Sequence, residues 1–214
     1  MAEELGKIEK PLAADFKTGR KLYFVPLVYR GQESPPEYLE RYQRYWQQVA
    51  GQLDDLEAKL GRISKLYHEL ITDGGEEGLK VLKELNEPGH RITQARREKG
   101  TELEATEALE TLTEFMDWSR CLMVGLQNQA VFNQVYRSYT EAGKKRNEHI
   151  SRHLDETLGE NETAVLFMAE NHQVAFPPDI QVFYVAPPAL DEIKRWLRDR
   201  EAKPTGDNPP PPPD

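Results

Sequence analysis

The sequence predicts an α/β fold in which long helices pack around a small mixed sheet. Three observations predict it. Apolar residues recur at steps of three and four through residues 36–60, the period of one helical face. Short apolar runs at 22–29, 163–168 and 180–185 have the length and composition of strands. The last two runs are joined by a proline-containing link too short for a standard crossover helix, and no regular strand–helix alternation runs through the 214 residues.

Residues 1–20 read as an irregular lead-in, 21–200 as a single α/β domain and 201–214 as a disordered proline-rich tail. In the first strand, Pro26 cannot donate to a ladder, which favours an edge or a bulge. Ser34 is placed to cap the first helix, with prolines at its start and Glu37 three residues on. The stripe of that helix is Tyr38, Tyr42, Tyr45 or Trp46, Val49, Leu53, Leu56 and Leu60. Ile63, Leu66, Tyr67 and Leu70 extend the helical pattern to a stop at Thr72-Asp73-Gly74-Gly75. Residues 76–85 form a short helix, and Asn86-Glu87-Pro88-Gly89 breaks it.

A basic segment with Arg91, Arg96, Arg97 and Lys99 ends at Gly100. Thr101 and Glu104 have capping-box spacing and open a helix whose inward face is Ala105, Leu109, Leu112 and Met116. It ends near Trp118, and further helices cover 119–142 and 144–158. Residues 159–162 turn the chain into strand 163–168. Strand 180–185 follows, and then a helix over 189–200 with Leu190, Ile193, Trp196 and Leu197 on one face. The five prolines near the end favour extended polyproline geometry, either as a dispensable tail or as a ligand for a proline-recognition module.

Composition narrows the function classes. A formal charge of −9 argues against general attraction to phosphate backbones, although local basic patches remain. No apolar stretch approaches the roughly 18 residues of a membrane span, and the polar N-terminus has no signal-peptide core. One cysteine, Cys121, excludes an intrachain disulfide and a cysteine-rich zinc site. A cytoplasmic location is the expectation. GxGxxG and GxxxxGK[ST] sequences are absent, so neither dinucleotide nor P-loop chemistry has motif support.

The candidate chemistry lies at strand exits and on the helix before residue 163. After the apolar run of 163–168 come Glu170, Asn171 and His172, where ligands bind in an open α/β sheet. In a cleft, Glu170 activates water or orients His172 and Asn171 donates to developing charge; the plain alternative is a polar exit from the core. Tyr29 and Arg30 occupy the same exit of the first strand. If the two strands are parallel neighbours, Tyr29, Arg30, Glu170 and His172 face one crevice. Arg146 offers a bidentate fork to a phosphate or carboxylate, or else pairs on a helix surface.

His149 and His153 share a helical face, with Glu156 about one turn on, a set that fits a divalent metal or a solvated helix face. Glu107, Glu110 and Glu114 form a carboxylate face that is metal-binding only if another element converges on it. Tyr38, Tyr42, Tyr45 and Trp46 either cover the sheet or form a homodimer through this aromatic helix.

Arg146-Asn147-x-x-Ile150, followed by Glu156-Thr157-Leu158, Glu162, Leu166-Phe167 and His172, resembles a segment of uncharacterised bacterial and archaeal α/β proteins. It is similar, more distantly, to TraB and erythromycin-esterase-like proteins, in which an arginine-bearing helix precedes a strand and an exit histidine. The resemblance implies that Arg146 anchors substrate or anion and that His172 belongs to an active site. It covers about 27 residues; Ala169 stands where a glycine is common, and Tyr29-Arg30 replaces an acidic or histidine motif.

The resulting expectation is a small-molecule cleft that hydrolyses a small polar or anionic substrate, with Glu170 and His172 catalytic and Arg146, Asn171, Tyr29 and Arg30 binding. The rival readings are a noncatalytic ligand-binding or protein-interaction domain, and an RNA-binding accessory protein using residues 91–99 and 144–152.

Overall fold

The computed structural model describes residues 18–201. The expected lead-in and proline-rich tail therefore fall almost wholly outside the described residues. The elements in chain order are β1 (Arg20–Pro26), α1 (Pro36–Leu60), β2 (Lys65–His68), α2 (Gly75–Leu85), α3 (Glu87–Arg97) and β3 (Glu102–Leu103). They continue with α4 (Leu109–Met123), α5 (Gln129–Thr157), β4 (Thr163–Met168), β5 (Ile180–Tyr184) and α6 (Pro188–Glu201). The α/β class forms as expected. The five strands are ordered β3-β2-β4-β1-β5, and every pairing is parallel where a mixed sheet was expected.

β1 and β4 are neighbours in register from Lys21 opposite Thr163 to Pro26 opposite Met168. β5 lies on the other side of β1, so residues 169–179 carry the chain across one face of β1 without a helix, with Val174 and Phe176 packed in the layer that holds Leu22 and Phe24. Pro26 does not put β1 at an edge. The Phe24 carbonyl accepts from Val185 N at 2.8 Å, and β5 ends at Tyr184. The nitrogen two residues on, at Pro26, has no proton to extend that ladder. On the other side Leu27 N still donates to Met168 O at 2.9 Å.

Both faces of the central strands are covered, which is why β1 and β4 read as unbroken apolar runs. Tyr23, Val25, Val165 and Phe167 meet α1 and α6, while Leu22, Phe24, Leu166 and Met168 meet Ile150 and Leu154 of α5. Tyr38, Tyr42, Tyr45 and Trp46 are all buried in the first of these layers. Each ring removes on the order of 150–250 Å² from water, and Tyr45 donates to the Pro26 carbonyl. The aromatic face is therefore spent inside the molecule, and a homodimer through it is ruled out unless the fold opens.

Several local readings are corrected. The stretch 63–70 contains β2, not a helical extension: Leu66 and Tyr67 face opposite layers and both are buried, so the run fits either period. Thr101 does not open a helix, because residues 102–103 pair with β2 and α4 starts only at Leu109. Of the proposed inward face, Leu112 is buried, but Leu109 is 68% exposed. Asn86 begins a helix as well as ending one, since its side chain accepts from Gly89 N at 3.1 Å as the cap of α3. Finally, α4 runs past Trp118 to Met123, and α5 continues unbroken through Gly143, where an added Cβ would lie 3.3 Å from the Phe115 ring. Ser34 caps no helix; its hydroxyl accepts from Gly31 N.

Candidate functional site

At the carboxyl ends of the parallel strands, the connections from β1 and β4 leave in opposite directions, toward β2 and β5. Such a reversal opens a crevice. A groove of about 1010 Å³ lies at this end, with Glu69 and Arg146 in it, Asn147, Ser151 and Arg152 along the α5 side, and Asn171, His172 and Phe176 on the loop after β4.

Its charged centre is built from three segments. Glu69 follows β2, and its N–H continues the ladder to Phe167 O at 2.9 Å. Leu70 then takes a left-handed conformation, φ 69°, at a cost of about 1–2 kcal/mol for a non-glycine residue. Glu107 holds that turn: its carboxylate accepts from Leu70 N at 3.2 Å, and its own N–H donates to Ile71 O at 3.0 Å. The same carboxylate takes the Arg146 guanidinium through Nε at 2.9 and 3.0 Å and through a further Nη2 bond. Arg146 Nη2 also lies 3.7 Å from Glu69. Tyr29 completes the set by donating its hydroxyl proton to Glu69.

Glu69, Glu107 and Arg146 are all buried. Burial opposes the charge on Arg146, but the bonds to Glu107 and the field of Glu69 outweigh it and hold the guanidinium more firmly protonated than usual. Burial, and then the Glu69 charge, push the Tyr29 phenol up, so it remains a donor. Two carboxylates share one guanidinium here. Arg146 therefore orients Glu69 and has little charge to offer a ligand, unlike the anion anchor expected from sequence.

His172 reaches the groove with its ring against Phe24 and Phe176, centroids 4.9 and 5.3 Å away. Burial lowers its pKa, and its Nδ1 accepts from Val174 N at 3.1 Å. The neutral ring must therefore carry its proton on Nε2, which makes it a donor toward anything opposite. Asn171 is exposed beside it.

β1 and β4 meet the stated condition of parallel neighbours, yet only part of the expected crevice assembles. Glu170 is not among the groove residues; it accepts from Tyr184 and from Lys194 Nζ at 2.5 Å. Burial would raise its pKa, but Lys194 and Tyr184 hold it below the usual carboxylate range. Arg30 turns to a smaller hollow of about 320 Å³, 3.9 Å from Glu87 and over the Tyr42 ring. Tyr29 borders that hollow while its hydroxyl reaches Glu69.

His149 and His153 stack at 5.9 Å with nearly parallel rings, and Glu156 is exposed. Burial and then the His153 charge lower the His149 pKa. Neither ring borders the groove, and among the described residues no group of three or more histidine, cysteine or acidic side chains is placed to hold a metal. Arg91, Arg96 and Arg97 of the basic segment pair with Glu87, Asp54 and Glu76.

No family model, curated protein or solved structure matches the chain. Among the described residues no helix is long and apolar enough to cross a membrane.

The sequence admits Tyr67-His68-Glu69 to the cleft only as the end of a helical region, with His68 capping or packing as the alternative, and Glu107 is the residue that sequence reasoning passed over; Glu69 does line the groove. Glu107 reads as one of a row of solvated carboxylates. The available signal was its neighbourhood: it follows Thr106, with no Lys or Arg from Thr101 to Ser119 to neutralise it.

Proposed function

We propose that the groove binds a small polar molecule and hydrolyses it, with Glu69 accepting the proton of an attacking water and His172 donating from Nε2 to the oxygen that gains charge. The observation that carries this reading is a buried carboxylate at a strand exit, held by Tyr29 and Arg146, in the same groove as an imidazole of fixed tautomer. Positioned proton transfer of this kind contributes about 10²–10⁴-fold to rate. The resemblance implied an active-site part for His172, which this reading keeps. It gives Arg146 a positioning part instead, and leaves Glu170 outside.

The test is turnover of a panel of small esters, amides and phosphate monoesters by the full chain and three variants. Glu69→Gln should lose about 10²-fold or more, and His172→Ala should fall at least as far as one lost donor allows. Glu170→Gln should stay near the parent rate. Equal rates for Glu69→Gln and the parent would reject the chemistry. Retained ligand binding without turnover in the parent would support the noncatalytic alternative.

A further inference from the structure

We propose that the substrate of the groove is an O-acylated oligosaccharide, held by its hydroxyl groups while one ester is cleaved. The ligand class follows from the walls of the groove, and the reaction rests on Glu69 and His172 acting as proposed above. At about 1010 Å³ the groove is at the top of the roughly 300–1,000 Å³ range of small-molecule sites. A simple ester would leave most of it empty. It is also long. Tyr139 borders it near one end of α5, and farther along Ser151 ties α5 to the loop after β4 by donating to the Ala175 carbonyl. The helix advances about 18 Å between Tyr139 and Ser151, which suits several linked rings.

Its charges are matched. Glu69 is bound by Tyr29 and Arg146, Asp155 by Arg20, and Glu148 lies 3.7 Å from Lys144. Arg152 makes no ion pair among the described residues, but Glu148 and Glu156 stand four residues to either side of it on α5, within reach of its charge. No cation is left over for a phosphate or carboxylate, and a chain of net charge −9 does not draw an anion in. The groove offers neutral groups instead. The side-chain amides of Asn147 on α5 and of Asn171 and Gln173 on the loop form no hydrogen bond with any described residue. Each amide has N–H donors and an accepting oxygen, the complement of hydroxyls, which also do both. The half-buried rings of Tyr139 and Phe176 border the groove with them, and the apolar C–H face of a sugar packs flat on such a ring. Tyr139 belongs to the outer hairpin, the part of α4 and α5 between residues 113 and 141, where it stacks on Phe115 at 5.1 Å.

Two rival ligands fit less well. An extended peptide is gripped by the edge of a sheet, and these walls are a helix and a loop. Cleavage of a glycosidic bond takes a carboxylate on either side of it, whereas Glu107 is bound by Arg146 and does not border the groove. An ester takes one. Water adds to the acyl carbon and gives its proton to Glu69, while His172 Nε2–H bonds the carbonyl oxygen as that oxygen gains charge. The acyl C–O bond then breaks, and Glu69 returns the proton to the departing sugar oxygen. The products are a carboxylic acid and the free hydroxyl.

The experiment pairs calorimetry with turnover, using neutral tetrasaccharides of xylose, glucose and mannose, each with and without O-acetyl groups. The full chain should bind at least one unacylated tetrasaccharide, and should release acetate from its acetylated form with a kcat/KM about tenfold or more above that for ethyl acetate. Asn147→Ala and Gln173→Ala should each weaken tetrasaccharide binding about fivefold, with circular dichroism unchanged. Gln127→Ala, in the turn between α4 and α5 and outside the groove, should bind as the parent does. Failure of every tetrasaccharide to bind both the parent and Glu69→Gln overturns the ligand class, even if ethyl acetate is hydrolysed. So does equal kcat/KM for ethyl acetate and the acetylated sugars, preference for an acetylated tetrapeptide, or binding that survives both amide variants. Tetrasaccharide binding without cleavage of any ester overturns the ester step and the hydrolytic reading beneath it.

Discussion

The His68 imidazole is buried directly before Glu69, with Nδ1 2.6 Å from the Glu69 carbonyl and Nε2 3.3 Å from the Asn86 amide. A carbonyl can only accept, so Nδ1 carries the proton and Nε2 receives one from Asn86. Burial drives its pKa down to about 4, against a partial upward pull from the Glu69 carbonyl. Above the ordinary value of 6.5 both the folded and unfolded chains hold a neutral ring, and the stabilisation is complete. As pH falls from 6.5 toward 4, the unfolded chain gains a proton that the folded chain refuses, and stability drops by roughly 3 kcal/mol in total. Urea unfolding between pH 7 and 4 should show this as a slope that His68→Gln lacks. Parallel curves for parent and variant would mean that the ring is protonated in the fold.

At the scale of elements, glycines separate close packing from open space. In α2, a Cβ on Gly78 would fall 2.0 Å from the Asp73 carbonyl oxygen and 3.1 Å from Ile71 Cγ2. Gly78→Ala should therefore cost about 3 kcal/mol in urea unfolding. Gly51→Ala in α1, where nothing lies within 4 Å, should instead stabilise by about 0.5–1 kcal/mol. Similar midpoints for the two variants would contradict the packing of α2 on the 71–73 turn.

The elements most legible in the sequence were those with a single dominant pattern. α1 has one apolar stripe, β4 an unbroken apolar run, and both fall at their expected bounds. β2 was hidden because a strand covered on two faces loses its period of two. Residues 101–107 were misread because a threonine and a glutamate at capping distance do not require a helix, and this segment is instead tied to β2 and the turn after it. The site was legible as a strand exit carrying His172 and a helix carrying Arg146. The Glu107–Arg146 pair was not, since it joins residues 39 apart in sequence through the packing of α5 against the 106–107 loop.

At the scale of the whole molecule, the two hydrophobic layers account for the sheet, α1, α6 and the inner part of α5, while the outer hairpin adds to neither. Replacing residues 113–141 by a Gly-Ser turn of about four residues should leave one cooperative thermal transition, displaced by no more than about 5 °C. Disappearance of that transition in circular dichroism would show that the hairpin supports the sheet. The same turn would remove Phe115, Tyr136 and Tyr139 from one end of the groove, so binding could weaken while folding persists.

The strand order sets a timetable for synthesis. β1 is made first among the strands, yet both of its partners, β4 and β5, are made last. At about 5–20 residues per second, a ribosome needs on the order of ten to thirty seconds between them. Throughout that interval a strand dense in aromatic and branched side chains has neither neighbour, and until Ile150 and Leu154 of α5 are made the face holding Leu22 and Phe24 lacks its helix as well. Nascent chains halted before residue 163 should consequently be the species most dependent on chaperones.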